Sequence, residues 1–449
     1  MEWVKLLSPR RLGSDAPGSY SFERSPFQRD FDRVIFSGAF RRLQNKTQVF
    51  PLVQEDYVRT RLTHSLETSS IGRSLGTAAG AFLKKNYDLG ETQISDVGAI
   101  VATAALSHDI GNPPLGHAGE EAIRFWFATS QVAKAMYDEL TPDQIKDFEL
   151  YEGNAQGFRV LSVLEMPDQK GGMQLTCATL GAFAKYPGTS NPVVRQPGVA
   201  GKKFNFFHSE KELFAEVAHN CGLYEYAPYS YARHPLAYLV EAADDIAYLI
   251  VDFEDGARLG MIAQDEVESR YLSLLDDPDT ASHLKDIANP VRRTEYLRAL
   301  VIGSLVRGVT QIFIERCDEL LNGAPGMPFT EMLPCAPQLA ELRKRSVELI
   351  YNNRKVAEII GSGFEMVSGM LDIFVPCVNE LAAEKLKKGK ASYRSRRLGA
   401  ILTDVSTCLE SPEWCNDPYA RLLTVMDFIS GMTDSYAVSI YRKLKGIAL

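Results

Sequence analysis

Cysteine is sparse in this sequence and follows no recognisable pattern. The chain of 449 residues has seven cysteines, which are scattered and include no Cys-x-x-Cys pair. An odd, scattered set fits neither a disulfide framework nor a zinc site built from thiolates. We therefore expect the protein to work in a reducing compartment, of which the cytoplasm is the simplest.

Long apolar runs, targeting segments and internal repeats are also missing. No stretch reaches the roughly 18 apolar residues that span a bilayer, and the N-terminal MEWVKLLSPRRLGSD has no apolar signal region. We expect neither export nor membrane insertion. The formal net charge of −8 argues against a surface devoted as a whole to nucleic acid or anionic lipid, although it allows local basic patches.

The composition and the hydrophobic patterns are those of a mainly helical globular chain. Hydrophobic residues make up 45% of the sequence and charged residues 24%, which is enough for a large core. Apolar positions recur at helical spacing in residues 62–82, 100–106 and 235–259. Strand patterns are limited to residues 47–53 and 202–207, where small hairpins could form. The fold class is therefore predicted to be mainly α.

Loop patterns suggest how the chain is divided. Pro-Gly clusters at residues 185–201 and 322–337 predict loops, and the Pro-Asp-rich stretch 276–290 is the best candidate for a boundary. We predict a first part, residues 1–275, that carries the motifs described next, and a C-terminal helical part, residues 276–449, that packs on it.

The most informative stretch is LSHDIGNPPLGHAGEE, residues 106–121. His108 and Asp109 combine imidazole and carboxylate, which suit Mn, Fe, Co, Ni, Zn or Mg. Neighbours on a regular helix point about 100° apart, so these two could share an ion only near a helix end. Gly111 and the prolines after it predict such an end. A site that activates water must also leave coordination positions open.

Two other places offer further metal ligands. His64 lies on an apolar-periodic helix, and Asp244 and Asp245 lie inside the apolar segment EAADDIAYLIVDFED. Carboxylates in such a setting need partners. Taken singly, each residue has a plainer interpretation, with His64 as a hydrogen-bonded core residue and the aspartates as partners of an arginine on a helix face.

The joint order of these residues is more specific than any one of them. His64, then His108 and Asp109, then Asp244, each in a helical context, resemble the metal ligands of the HD superfamily of metal-dependent phosphohydrolases. HDIGNPPLGHAGE is similar, more narrowly, to the motif of the deoxyguanosinetriphosphate triphosphohydrolase (dGTPase) family. Further segments that match this family in order are FRRLQNKTQVFPL (40–52), VRTRLTHSLE (58–67), YEGNAQG (151–157), EAADDIAY (241–248) and FISGMTDSYA (428–437). The resemblance implies an HD-domain helical core in the first part, followed by additional helices.

The resemblance also implies a reaction and a cofactor. The family hydrolyses a dNTP to a deoxynucleoside and inorganic triphosphate, with water attacking the α-phosphorus, and dGTP is the expected substrate. The implied metal ligands are His64, His108, Asp109 and Asp244. The expected ion is Mn, Mg or another first-row transition metal. We favour Asp244 over Asp245 because Tyr248 and Asp252 follow Asp244 on the same helix face.

The reaction needs a proton donor because the 5′-oxygen of the sugar is a poor leaving group near pH 7. By the resemblance, His117 is the expected general acid and Glu120 orients it. The spacing alone also allows a plainer interpretation, in which Gly116 and His117 begin a helix and Glu120 favours its positive end.

Several residues are expected to contact the substrate at its phosphates. Arg61, Lys185 and Tyr186 match phosphate contacts of the family, and cations suit the roughly four negative charges of a triphosphate. Asn112 stands where relatives of the superfamily often have histidine, and Glu152 is expected near the site without an assigned role. Without the resemblance, Arg61 and Lys185 could be solvated surface cations.

The sugar is expected to meet a second group of residues. Tyr248 would pack beneath the deoxyribose and leave no space for a 2′-hydroxyl, while Gln48 and Asp252 would bind the 3′-hydroxyl. Such a face would reject ribonucleotides. Apolar neighbours make an ordinary core role for Tyr248 the plainer alternative.

A basic segment near the C-terminus raises the question of partners. Residues 385–397 include seven lysines and arginines, for which a solvated charged face is the usual explanation. In the dGTPase family, base recognition draws partly on the C-terminal region and a neighbouring subunit, and some members bind single-stranded DNA as a modulator. With Tyr393 nearby, the segment could serve either role. The family also implies a homo-oligomer, with a hexamer among the expected forms.

Other functions stay open at this point. The enzyme could accept several dNTPs, or it could be a different HD nucleotide phosphohydrolase that keeps the metal ligands and loses the sugar contacts. A non-catalytic HD scaffold that binds nucleotides or DNA is the third possibility.

Overall fold

Helices dominate the computed structural model, which describes residues 1–14, 24–48, 58–196, 198–275, 279–403 and 411–447. In chain order, the α-helices of these residues are α1 (Trp3–Leu6), α2 (Pro26–Ile35), α3 (Gly38–Arg42), α4 (Arg61–Asn86), α5 (Ile94–Ser107), α6 (His117–Thr129), α7 (Gln131–Lys134), α8 (Pro142–Glu149), α9 (Gly153–Arg159), α10 (Cys177–Phe183), α11 (Lys211–Cys221), α12 (Pro235–Arg258), α13 (Gln264–Leu272), α14 (Thr280–His283), α15 (Pro290–Leu321), α16 (Ala336–Ser346), α17 (Arg354–Lys385), α18 (Tyr393–Thr403), α19 (Pro412–Asn416), α20 (Pro418–Ser430) and α21 (Asp434–Leu444). The mainly α fold predicted from the sequence is confirmed.

The helices α4, α5 and α12 form the centre of the fold and carry three of the predicted helical patterns. Glycines at every fourth position of α4, at Gly72, Gly76 and Gly80, allow α5 to approach closely. A Cβ atom at Gly76 would lie 2.8 Å from the carbonyl oxygen of Val97 on α5, closer than side-chain carbons pack. The small residues on α4 therefore set the distance between the two helices.

The long helix α12 begins with a well-defined cap. Its first residue is Pro235, and the ring of the preceding His234 accepts the backbone N–H of Leu236 at 3.1 Å. A proline at the first position and an acceptor at the cap are both typical of helix starts. The helix then runs for 24 residues through the core.

Two groups of buried apolar side chains hold these helices together. The first joins α1 to α5 with α9 to α13, α15, α16 and the start of α17. The second joins α6 to α9 with α17 to α21. Each group thus takes helices from both sides of residue 276, and the division into residues 1–275 and 276–449 stays a prediction.

The small sheet does not lie where the sequence predicts strands. Strands β1 (Glu225–Ala227) and β2 (Ser230–Tyr231) pair antiparallel. Residues 202–207 form a loop, so the strand predicted there is wrong. The consecutive Phe206 and Phe207 are both buried, whereas neighbours in a strand point to opposite faces.

The other predicted hairpin, residues 47–53, extends beyond the described residues. Residues 49–53 lie outside them. Within them, Thr47 pairs with Thr60 in a single antiparallel bridge at the start of α4. The prediction for residues 49–53 stays untested.

Two helices, α15 and α17, are long and apolar enough to cross a membrane by length and composition. In α15, 33% of the most apolar stretch of 18 residues is buried inside the fold, and in α17 the buried share of that stretch is 56%. Core helices pass the same criterion, so these two carry little weight as evidence for a membrane.

Candidate metal and nucleotide site

Three helices bring the predicted metal ligands together. His64 lies in the first turn of α4, Asp244 lies in the middle of α12, and α5 ends directly before His108 and Asp109. The chain leaves α5 in a tight turn at Gly111, where a Cβ atom would lie 2.0 Å from a backbone nitrogen of α9. The end of the helix lets adjacent His108 and Asp109 face the same space.

The ligand atoms converge on one small volume. One atom each from His64, His108 and Asp109 lies within 4.8 Å of the others. Oδ1 of Asp244 lies 3.2 Å from Nε2 of His64 and 3.3 Å from Nε2 of His108. Ligands that bind one ion at about 2.1 Å and at right angles are about 3 Å apart, which is close to these separations.

The donor chemistry fits a divalent cation. Nδ1 of His108 lies 2.7 Å from the carbonyl oxygen of Ala105, which can only accept, so Nδ1 carries a hydrogen and Nε2 is the nitrogen that a metal would bind. Nδ1 of His64 is buried and has no hydrogen-bond partner among the described residues. A set of two imidazoles and two carboxylates suits the first-row metals and Mg.

Both carboxylates are paired with cations. Nη1 of Arg61 donates to Asp109 at 2.7 Å, and Nζ of Lys185 donates to Asp244 at 2.6 Å. Burial opposes ionisation of Asp109, but Arg61 and the two histidines hold its pKa well below the usual range. Burial also opposes ionisation of Asp244, and His108 and Lys185 hold its pKa well below the usual value. Both groups are therefore anionic.

The turn after Asp109 is tightly packed around Arg61. Nδ2 of Asn112, which is buried, donates to Oδ1 of Asp109 at 2.5 Å. Gly116 adopts φ 57° and ψ −126°, and a Cβ atom there would lie 2.2 Å from Nη2 of Arg61. Only glycine provides both this backbone conformation and the room for Arg61 to reach Asp109.

The helix α6 begins at His117, and its first turn forms the predicted pair. Nδ1 of His117 lies 2.7 Å from Oε2 of Glu120, and Oε1 of Glu120 accepts the backbone N–H of Gly153 at 2.6 Å. The His117 side chain is 80% exposed and that of Glu120 3%. Burial would raise the pKa of Glu120, but the hydrogen bond and charge of His117 and the charge of Lys203 lower it. Glu120 is therefore a buried anion, and the exposed imidazole of His117 is hydrogen-bonded to it.

Glu152 joins this region to a basic cavity. Its carboxylate accepts hydrogen bonds from Nη2 of Arg124 at 2.7 Å and from Nζ of Lys203 at 3.0 Å. Together with Arg195 and Lys202, these residues line a cavity of about 190 Å³. Arg124 and Lys203 could not be found from the sequence, because no local motif marks them and the pattern of residues 202–207 predicts a strand.

Lys185 and Tyr186 lie between the predicted metal ligands and the cavity. Lys185 contacts Asp244, and residues 188–190 of the following segment line the cavity. The backbone N–H of Tyr186 donates to Oδ1 of Asn205 at 3.1 Å, and burial raises the pKa of its hydroxyl. This segment therefore connects the two ends of the site.

A face of α12 continues from the predicted metal ligand Asp244 toward the predicted sugar contacts. Tyr248 is half-buried, and the ring of Tyr351 lies parallel to it at 5.9 Å between centroids. The hydroxyl of Tyr351 donates to Asp252 at 2.9 Å, and burial raises the pKa of Asp252 to about 7. Oε1 of Gln48 and Oδ1 of Asp252 are buried without a hydrogen-bond partner in the described part of the chain. Sequence reasoning missed Tyr351, which lies outside every motif.

Asp245 faces away from this group. Its carboxylate accepts the hydroxyl of Thr330 at 2.6 Å and lies 3.8 Å from Arg343. Of the two adjacent aspartates, Asp244 is the one that meets the histidines.

Comparison with known proteins gives a family for this arrangement. The HD domain family model matches residues 61–149, a range that includes His64, His108, Asp109 and the His117–Glu120 turn, whereas Asp244 lies beyond it.

Several curated relatives match nearly the whole chain. It is 40% identical, over its full length and that of the relative, to the deoxyguanosinetriphosphate triphosphohydrolase-like protein of Synechocystis sp.. It is 39% identical, over 99% of each chain, to a protein of the same description from Pseudomonas aeruginosa. It is 32% identical, over 94% of each chain, to the deoxyguanosinetriphosphate triphosphohydrolase of Salmonella arizonae. The similarity therefore covers both the HD segment and the C-terminal helices.

Proposed function

Because the chain belongs to the deoxyguanosinetriphosphate triphosphohydrolase family of HD-domain hydrolases, we propose that it hydrolyses a deoxynucleoside triphosphate to the deoxynucleoside and inorganic triphosphate. The expected substrate is dGTP. One observation supports the proposal: the four predicted ligand side chains converge next to Arg61, and on the other side of Arg61 the chain passes through Gly116 directly into the His117–Glu120 pair.

The metal ligands would be His64, His108, Asp109 and Asp244. A divalent cation bound there would polarise a phosphate oxygen and lower the pKa of the attacking water. Arg61 and Lys185, which pair with two of the carboxylates, would neutralise part of the roughly four negative charges of the triphosphate. Tyr186 would add a hydroxyl donor. Lys203 and the other cations of the cavity would extend this positive surface away from the ligands.

His117 would protonate the 5′-oxygen as its bond to the α-phosphorus breaks. The N–H at Nδ1 of His117 would donate to the carboxylate of Glu120. Nε2 is then the ring nitrogen that can face the leaving group. The 80% exposure of the His117 side chain supports this role, because a structural histidine of the core would be buried. Glu120, held by the backbone of Gly153, would orient the ring.

Tyr248, with Tyr351 stacked behind it, would form the flat face on which the deoxyribose packs. Gln48 and Asp252 would bind the 3′-hydroxyl, a role supported by the unpartnered buried oxygen that each carries among the described residues. A ring packed against C2′ would leave no room for the hydroxyl of a ribonucleotide. Asn112 and Glu152 would act behind these contacts, by orienting Asp109 and by pairing with Lys203.

The reaction is tested by separating its products on an anion-exchange column. Wild type, His117→Ala and a matched control, His219→Ala on the exposed side of α11, are incubated with each of the four dNTPs and with GTP, in Mn²⁺ and in Mg²⁺. We expect wild type and the control to release deoxynucleoside and intact triphosphate, with dGTP the best substrate and GTP untouched. His117→Ala is expected to be nearly inactive, by roughly 100-fold or more.

Other products would identify the alternatives. A nucleoside monophosphate with pyrophosphate would indicate a different HD nucleotide phosphohydrolase, and equal turnover of all four dNTPs a broad dNTPase. No turnover of any nucleotide, with metal bound, would indicate a non-catalytic scaffold and would refute the proposed function.

The basic segment supports a second, separate role as a contact for single-stranded DNA. All seven of its lysines and arginines are exposed, and the ring of Tyr393, 73% exposed, lies beside the guanidinium of Arg397. Exposed cations and an exposed ring suit backbone charge and base stacking. Binding to an oligonucleotide should weaken with salt and should fall when Arg394 and Arg397 are changed to Gln.

Light scattering during gel filtration tests the expected homo-oligomer.

A further inference from the structure

The C-terminal segment FISGMTDSYA, residues 428–437, has no part in the chemistry proposed above, yet it reaches the active-site turn. Asp434, the first residue of α21, is buried. Its Oδ1 accepts the backbone N–H of Leu115 at 2.9 Å, and its Oδ2 accepts that of Thr47 at 2.8 Å. One carboxylate at the end of the chain therefore holds backbone groups from two distant segments.

Lys46 reaches the same turn from another direction. Its Nζ donates to the carbonyl oxygen of Asn112 at 2.5 Å and to that of Ser430 at 2.7 Å. Its own carbonyl oxygen accepts the backbone N–H of Arg61 at 3.0 Å. The side chain is buried, and burial lowers its pKa to about 7. Lys46 thus ties the start of the turn, the start of α4 and the end of α20 together.

The turn needs such support because its backbone is strained. Leu115 has φ 63° and the next residue, Gly116, has φ 57°. A residue with a side chain rarely adopts this left-handed conformation, and it persists only where its surroundings hold it. The Leu115 side chain packs over Gly363 of α17, where a Cβ atom would lie 2.3 Å from Cδ1 of Leu115. His117 follows directly and inherits its position from the turn.

We propose that Asp434 and Lys46 are positioning residues, which hold the turn 112–116 in the strained conformation that places His117 at the leaving group. The inference rests on the proposed function for the role of His117. It gives the C-terminal segment a task in the reaction: α20 and α21 complete the support of the general acid without touching the substrate.

The kinetic test compares two variants of the same helix end. Asp434→Asn replaces one acceptor oxygen by an NH₂ group, which then faces a backbone N–H. Thr433→Ala, the matched control, removes the N-cap hydroxyl of α21, which accepts the N–H of Tyr436 at 3.2 Å, and leaves the turn untouched. We expect kcat for dGTP to fall roughly 10- to 100-fold in Asp434→Asn, with KM within about twofold of wild type. Thr433→Ala should retain the kcat of wild type.

A modified substrate separates positioning of the acid from general damage. In a dGTP analogue with sulfur in place of the bridging 5′-oxygen, water attacks phosphorus, the P–S bond breaks, and the thiolate leaves without needing a proton. The loss caused by Asp434→Asn should shrink on this analogue at least fivefold relative to dGTP, as should that of His117→Ala. An equal loss on both substrates would overturn the inference.

Amide hydrogen exchange tests the support of the turn without relying on activity. Peptides covering residues 112–117 should exchange faster in Asp434→Asn than in wild type or Thr433→Ala. If Asp434→Asn does not fold, Lys46→Met serves as the second variant, with the same expectation. An unchanged exchange rate in the turn would overturn the inference even if the enzyme is active. If wild type cleaved no dNTP, the proposed function would be refuted. The exchange result alone would then decide whether Asp434 and Lys46 hold the turn.

Discussion

The hydroxyl of Tyr351 donates a 2.9 Å hydrogen bond to Asp252, although the two residues lie 99 positions apart in the sequence. The ring of the same tyrosine lies within 5° of parallel to that of Tyr248. A residue that follows α16 thus supports both members of the face on α12 that is expected to receive the sugar. Burial raises the pKa of Asp252 to about 7, and the hydroxyl of Tyr351 is a neutral donor that holds its Oδ2 in place.

Replacing Tyr351 by Phe should therefore weaken nucleotide binding. The change removes one hydrogen bond to a buried carboxyl, worth about 1 kcal/mol, so KM for dGTP should rise roughly fivefold while the stacked ring remains. Tyr393→Phe is the matched control, since its exposed hydroxyl accepts from Arg397 on the surface of α18. Steady-state kinetics check both variants. An unchanged KM in Tyr351→Phe would show that the hydroxyl of Tyr351 does not contribute to nucleotide binding.

Gly116→Ala should disrupt the site far more than it disrupts the fold. The added methyl group would lie 2.2 Å from Nη2 of Arg61 and push the guanidinium away from Asp109. We expect kcat/KM for dGTP to fall roughly 100-fold. Gly260→Ala is the control, because Gly260 also has a positive φ, of 71°, but nothing lies within 4 Å of its added Cβ. It should cost about 1 kcal/mol of stability and leave activity intact. Similar activities in the two variants would contradict this role for Gly116.

Metal binding should stabilise the fold through Asp244 and not through Asp245. A ligand at 100 times its dissociation constant adds about 2.7 kcal/mol to the free energy of unfolding, so Mn²⁺ should raise the melting temperature of the chelator-treated protein. Asp244→Asn should abolish most of this rise. Asp245→Asn should retain it, because Asp245 pairs with Thr330 and Arg343 instead. Thermal unfolding with and without Mn²⁺ measures the difference, and an equal loss in both variants would argue against the proposed ligand set.

The free energy of unfolding should decrease as the pH is lowered from 6.5 toward 4, because of His234. Burial lowers the pKa of this histidine to about 4 from an ordinary value of 6.5. Above pH 6.5 the ring is neutral in both states. Between pH 6.5 and 4 the unfolded chain takes up a proton that the folded chain excludes, so the folded state loses stability as the pH falls, by about 3 kcal/mol in full.

His234→Asn provides the comparison for this pH dependence. Asparagine is also a good N-cap for α12, and it does not titrate. The wild-type protein should lose about 3 kcal/mol more than this variant between pH 7 and pH 4, measured by urea unfolding at several pH values. Parallel curves for the two proteins would show that His234 is not buried in the neutral form.

Much of the local structure could be predicted from the sequence, because it depends on neighbours in the chain. The apolar spacing of residues 62–82, 100–106 and 235–259 predicts α4, α5 and α12, since one helical face must be buried. The Gly-Pro turn after Asp109 predicts the end of α5. The prediction of a strand at residues 202–207 is wrong because tertiary contacts bury both Phe206 and Phe207, and local alternation does not reveal such contacts.

By itself, therefore, the sequence determined the helices, the residue types of the candidate metal site and the pairing of His117 with Glu120, which lie one helical turn apart. Only the tertiary structure decided which distant residues complete the site. Tyr351 reaches Asp252, Lys203 reaches Glu152, and Asp434 holds Leu115. These contacts join segments far apart in the chain, and they form because the helices pack at one set of distances and angles, which no local pattern encodes.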